Sequence, residues 1–188
     1  RLKRFTHILR ITKMNLPNIL SLSRIFLLIP IIFLFEKEFY FSSLLTFLFA
    51  SLTDYLDGYF ARKNNLASES GALFDLLADK IFVSVLLIWI TYYFDNIFIL
   101  VSAILIISRE ISISYLRLFI VSLGKKVGEV KSDFSGKVKT TLQMIGIGFI
   151  LITPITSEFI FYLSIVLILF SALISWYSLL KYLKKWIV

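Results

Sequence analysis

Apolar residues fall in six long stretches, at about 19–35, 39–60, 71–93, 97–122, 138–156 and 158–180, with short polar breaks between them. About 20 residues of α-helix cross the hydrocarbon core of a bilayer, so each stretch has the length of one span. Inside lipid a single spanning segment must satisfy its own backbone amides, which only a helix does. The pattern predicts an all-α polytopic membrane protein with six transmembrane helices in one bundle. Pro17 falls in the first turn of the first helix, where its missing N–H costs little, and Asn15 is available as a cap. Asn64 and Asn65, with Ser68, Ser70 and Gly71, punctuate the second connection; Gly124, Gly128 and Ser132 mark the fourth.

Composition strengthens this reading. Of 188 residues 59% are hydrophobic, with a mean hydropathy of +0.88, against roughly 45–50% apolar residues in soluble domains. The net charge of +8 would admit a nucleic-acid partner, but its distribution indicates loops facing anionic lipid and no nucleic acid. Lys and Arg concentrate in the N-terminal arm, the 61–70 loop, the 124–137 loop and a tail with Lys181, Lys184 and Lys185. The connections between them carry Glu36, Lys37 and Glu38, then Asp95, then Glu158. This alternation places both termini in the cytoplasm. Tyr182 and Trp186 beside the terminal lysines read as interfacial anchors.

Residues 1–13 (Arg1, Lys3, Arg4, Arg10 and Lys13 among them) form a basic arm without the apolar core and cleavage site of a secretory signal. The arm reads either as a juxtamembrane segment or as sequence upstream of a start at Met14; residues 14–188 form the membrane domain. With no cysteine there are no disulfides, thiolate metal sites or Cys nucleophiles. The sole histidine, His7, lies in the arm and reads as a surface residue.

Against this background the acids stand out. Asp54, Asp57, Gly58 and Ala61 lie at i, i+3, i+4 and i+7, one stripe of the second helix. Gly71, Asp75 and Asp79 lie at i, i+4 and i+8 on the third, and the short loop between makes the two helices antiparallel neighbours. An acid within a span costs about 2.5–3.5 kcal/mol on insertion scales, so four together require a strongly cationic partner. Oxygen donors without His or Cys point to Mg²⁺ or Mn²⁺. Two such ions would clamp the attacking and leaving oxygens of a phosphoryl displacement. A proton or cation pathway is the alternative, weakened by the bracketing Gly58, Ala61, Arg62 and Gly71.

The pattern D-x2-D-G-x2-A-R-x8-G-x3-D-x3-D, from Asp54 to Asp79, resembles the signature of the CDP-alcohol phosphotransferase family at every position. The resemblance implies a homodimeric enzyme of the bacterial inner membrane with its active site facing the cytoplasm. Such enzymes transfer the phosphatidyl group of CDP-diacylglycerol, or a similar CDP-linked group, to an alcohol and release CMP. It also implies that Asp54, Asp57, Asp75 and Asp79 hold two metal ions and that Asp79 serves as general base. Gly58, Ala61, Arg62 and Gly71 would surround the CDP moiety.

A second group of polar residues lies in the later helices. Arg109, Glu110 and Arg117 fall within the fourth span, deep enough that Arg109 and Glu110 each need a partner or a ligand. Arg109 and Arg117, eight residues apart, lie about 80° apart around a helix. Lys137 and Lys139 open the fifth span. Guanidinium forks and ammonium groups together suit a phosphorylated acceptor. Lys125, Lys126 and Lys131 read as solvated loop charges.

The phrases Asn15 to Arg24, Arg109 to Leu118 and Gly136 to Met144 resemble the branch of that family whose acceptor is sn-glycerol 3-phosphate. Ser21 stands where many relatives have Thr. The same resemblance places Asn18, Ser21 and Arg24 near the nucleotide; for Arg24 a cytoplasmic anchor is the alternative. Still open at this point are another acceptor (phosphatidylserine, inositol-phosphate lipid or cardiolipin synthesis), a membrane prenyltransferase, and an ion or proton transporter.

Overall fold

The computed structural model describes residues 16–63, 69–122 and 134–187. They form six α-helices, α1 (Leu16–Glu36), α2 (Tyr40–Lys63), α3 (Glu69–Phe94), α4 (Ile97–Ser122), α5 (Phe134–Ile152) and α6 (Glu158–Ile187), with a 3₁₀ turn at Thr153–Ile155. Among the described residues four segments are long and apolar enough to cross a membrane: Leu77–Phe94, Ile97–Leu116, Val138–Ile155 and Glu158–Lys184. α2 contributes a shorter apolar run, Tyr40–Thr53. The basic arm, Asn15, residues 64–68 of the 61–70 loop, and Lys125, Lys126 and Lys131 lie outside the described residues.

The helix ends follow from local chemistry. α1 closes in a Schellman turn: Phe39 N–H donates to the Leu34 carbonyl at 2.8 Å and Glu38 N–H to that of Phe35 at 2.9 Å. Glu38 takes the left-handed position, φ 64°, where glycine is commoner. Two residues join α3 to α4. Asp95 is left-handed, φ 43°, and the Asn96 side-chain oxygen accepts from Phe98 N–H (2.9 Å) and Ile99 N–H (3.3 Å), capping α4. α5 stops at Ile152, four residues short of the apolar stretch, because Pro154 cannot continue the amide ladder. At its other end α5 takes in Phe134–Lys137, and α6 carries Lys181, Lys184 and Lys185 as helix rather than tail.

The chain divides into two compact units, Arg1–Val83 and Ser84–Val188. In the first, α1 packs along α2. Arg24, Leu28, Ile31 and Phe35 make the buried stripe of α1, while Phe26, Ile29 and Phe33 face outward, as suits a lipid solvent. The buried Ser43 hydroxyl donates to the Ile31 carbonyl at 2.8 Å, stitching α2 to α1. Phe47 of α2 stacks on Phe82 of α3 with ring centroids 6.0 Å apart.

In the second unit α6 packs against both α4 and α5. Gly146 permits the close approach of α5 and α6. A Cβ there would stand 2.7 Å from Ile168 Cγ1 and 3.3 Å from the Ser164 carbonyl oxygen. Trp176 Nε1 donates to the Leu105 carbonyl at 2.9 Å, tying α6 to α4.

Candidate active site

The acidic motif lies on the two helices foreseen for it. α2 carries Asp54, Asp57, Gly58, Ala61 and Arg62, and α3 carries Gly71, Asp75 and Asp79. In regular helix the spacings 54/57 and 75/79 each put both acids on one side of their helix. The side chains of Asn18, Ser21, Asp54, Asp57, Arg62 and Asp75, and the surroundings of Gly58, Ala61 and Gly71, lie outside the described residues. Among the described residues no three Asp, Glu, His or Cys stand together, a search that does not reach Asp54, Asp57 or Asp75.

Asp79 is described, and it has a partner that the sequence pattern did not reveal. Its Oδ1 accepts a hydrogen bond from Arg24 Nη1 of α1, 55 positions away. Arg24 is buried rather than solvated. Its side chain is 2% exposed, whereas that of Asp79 is 45% exposed. The reason is its place on the buried stripe with Leu28, Ile31 and Phe35, where a guanidinium needs an anion within reach. Arg24 thus ties α1 to the last acid of the motif and fixes one oxygen of that carboxylate.

The second unit brings together another set. Arg109 and Lys139, from α4 and α5, are both buried. Arg109 Nη1 donates to Glu110 Oε1 at 2.7 Å, and Lys139 Nζ donates to the same oxygen. Arg109 Nε donates to the Ser175 carbonyl of α6 at 3.2 Å, and the Ser171 hydroxyl to the Lys139 carbonyl at 2.8 Å. Gln143, one turn along α5 from Lys139, is also buried. Residues of three helices, α4, α5 and α6, therefore meet in this ionic cluster. Arg109 and Glu110 satisfy each other, as their depth demanded, and Lys139 joins them. Arg117 lies on α4 and Lys137 on α5, with side chains outside the described residues. The cluster offers what an anionic ligand requires, cationic donors in a low-dielectric setting with their orientation already set.

Comparison with known proteins bears on both sets. The model of the CDP-alcohol phosphatidyltransferase family matches residues 14–177, which include every acid and every cation of these two sets. A protein of Salmonella choleraesuis (strain SC-B67) is 34% identical over 173 residues, covering 90% of this chain and 93% of its own length. Proteins of Shigella flexneri and Escherichia coli (strain K12) are 34% identical over 177 residues with the same coverage. All three bear the name CDP-diacylglycerol–glycerol-3-phosphate 3-phosphatidyltransferase.

Proposed function

Since the chain belongs to the CDP-alcohol phosphatidyltransferase family, we propose that it transfers the phosphatidyl group of CDP-diacylglycerol to sn-glycerol 3-phosphate, yielding phosphatidylglycerophosphate and CMP. The names of relatives matching 90% of the chain support this acceptor. So does the observation that carries the reading, the buried Arg109 and Lys139 gathered within hydrogen-bonding reach of one carboxylate oxygen. A phosphorylated alcohol needs such a cluster, whereas serine or a plain polyol has no phosphate to place there.

In the reaction an acceptor hydroxyl oxygen bonds to the phosphorus next to diacylglycerol, and the pyrophosphate bond to CMP breaks. Asp79 takes the hydroxyl proton, its carboxylate oriented by Arg24. Asp54, Asp57, Asp75 and Asp79 present only oxygen donors on two consecutive helices, a set that fits Mg²⁺ or Mn²⁺, two ions in all. When bound, the metal offsets the negative charge of the pyrophosphate. Gly58, Ala61, Arg62 and Gly71 surround the CDP group, with Asn18, Ser21 and Arg24 on its α1 side. Arg117 and Lys137 join Arg109 and Lys139 at the acceptor phosphate. Turnover of purified protein with CDP-diacylglycerol and a panel of alcohols tests the assignment. CMP release is expected with sn-glycerol 3-phosphate and not with serine, inositol phosphate or phosphatidylglycerol; preference for one of those three would replace the acceptor.

By length and composition of its apolar helices the chain is a multi-pass membrane protein. Its proposed setting is the bacterial inner membrane, as a homodimer with both termini and the acidic motif at the cytoplasmic face. The absence of native cysteine gives thiol labelling a clean background. Asn65→Cys and Gly128→Cys are expected to resist an impermeant reagent in intact cells, and Asp95→Cys to react. Labelling of Asn65→Cys from outside would reverse the orientation.

A further inference from the structure

The cation cluster contains one residue with no role in the reaction as described so far. Glu110 is an acid in a site meant for an anion, and it accepts from both buried cations through a single oxygen, Oε1. Arg109 and Lys139 come from different helices and are 6% and 8% exposed. Two cations so close and so poorly solvated repel each other, and the shared carboxylate offsets that repulsion.

Glu110 also fixes direction. The Arg109 guanidinium is held at Nε by the Ser175 carbonyl and at Nη1 by Glu110. That uses two of its five N–H donors, and Nη2 makes no hydrogen bond among the described residues. The Ser175 hydroxyl, on the residue whose carbonyl holds Arg109, is buried and also without a partner among them. Packing alone does not call for this arrangement, since apolar residues of similar volume commonly replace buried ion pairs without loss of stability.

We propose that Glu110 is a positioning residue for the acceptor phosphate, gathering Arg109 Nη1 and Lys139 Nζ on one oxygen and so setting the spacing and orientation of the cations that receive it. A carboxylate cannot donate to a phosphate and repels it, so Glu110 acts through its two partners. The inference rests on the acceptor reading above. The contrary role, a stand-in anion that the phosphate must displace, predicts the opposite sign: removing its charge would then tighten binding.

Purified wild-type and Glu110→Gln proteins decide between these. Glu110→Gln keeps the shape and removes the charge. It is expected to raise KM for sn-glycerol 3-phosphate about tenfold or more, the scale of one hydrogen bond to a charged group. KM for CDP-diacylglycerol and kcat are expected to move much less. An unchanged or lowered KM for glycerol phosphate overturns the proposal, as does an equal loss in kcat and both KM values, which marks a merely structural ion pair. If Glu110→Gln does not fold, Glu110→Asp, with its oxygen drawn back by one methylene, is expected to show the same selective rise; an unchanged KM there is equally fatal. Thermal stabilisation by inorganic phosphate separates this inference from the acceptor reading. Phosphate is expected to stabilise the wild type and to need at least about tenfold higher concentration in the variant. If the wild type binds phosphate in this way yet does not use glycerol phosphate, the acceptor assignment fails and Glu110 keeps its role. No stabilisation of the wild type by phosphate overturns the role of Glu110.

Discussion

Asp75→Ala is expected to abolish turnover, by at least about 10³-fold, because losing a metal's charge stabilisation at the reacting phosphate is worth several kcal/mol and each ~1.4 kcal/mol is tenfold in rate. Asp54→Ala and Asp57→Ala are expected to do the same, and all activity is expected to vanish on chelation and return with Mg²⁺ or Mn²⁺. Asp79→Asn belongs to a different class. It removes the proposed base and also takes the charged oxygen from Arg24, whose side chain is 2% exposed. It should therefore lose thermal stability as well as turnover, while Asp75→Ala measured without metal should melt close to the wild type. Steady-state rates over a metal titration, with melting temperatures, check both statements. An Asp75→Ala enzyme running near the wild-type rate would remove the metal site from the account.

Arg109→Ala is expected to raise KM for sn-glycerol 3-phosphate by roughly tenfold to 150-fold, from about 1.5–3 kcal/mol for a hydrogen bond to a charged group at about 1.4 kcal/mol per decade. KM for CDP-diacylglycerol is expected to change much less. Arg109→Lys retains charge but not the planar fork, and the ammonium cannot bond the Ser175 carbonyl and Glu110 with the guanidinium's geometry. It should therefore recover only part of the loss. A selective loss of affinity for CDP-diacylglycerol would move Arg109 to the nucleotide or lipid and take away the main physical reason for a phosphorylated acceptor.

Most of the helical architecture was legible from hydropathy, since a lipid-facing helix declares itself by composition. What hydropathy missed lies where helices continue without apolar residues. Ser135, Gly136 and Lys137 open α5 as helix although they look like loop, and Lys181, Lys184 and Lys185 prolong α6. Pro154 had the opposite effect, ending a helix that composition would have extended.

The candidate site was legible in its residue types and much less so in its pairings. Helical spacing puts Asp75 and Asp79 on one face, but nothing local announces that Arg24 would reach Asp79 across 55 positions. A hint lay in the stripe Arg24, Leu28, Ile31, Phe35, because a charge on a buried stripe must find a counter-charge inside. Glu110 escaped the face-matching rule altogether. It bonds its immediate neighbour Arg109, and residues one apart do not face each other on a helix. Burial forced that contact and brought in Lys139 from α5.

Running the reaction backwards tests the central claim most directly. Phosphatidylglycerophosphate with a labelled glycerol phosphate head group is mixed with purified protein, divalent metal and CMP. Release of labelled sn-glycerol 3-phosphate is expected only when CMP is present, with CDP-diacylglycerol appearing in equal amount. Release without CMP, or none with it from folded protein, would contradict the account.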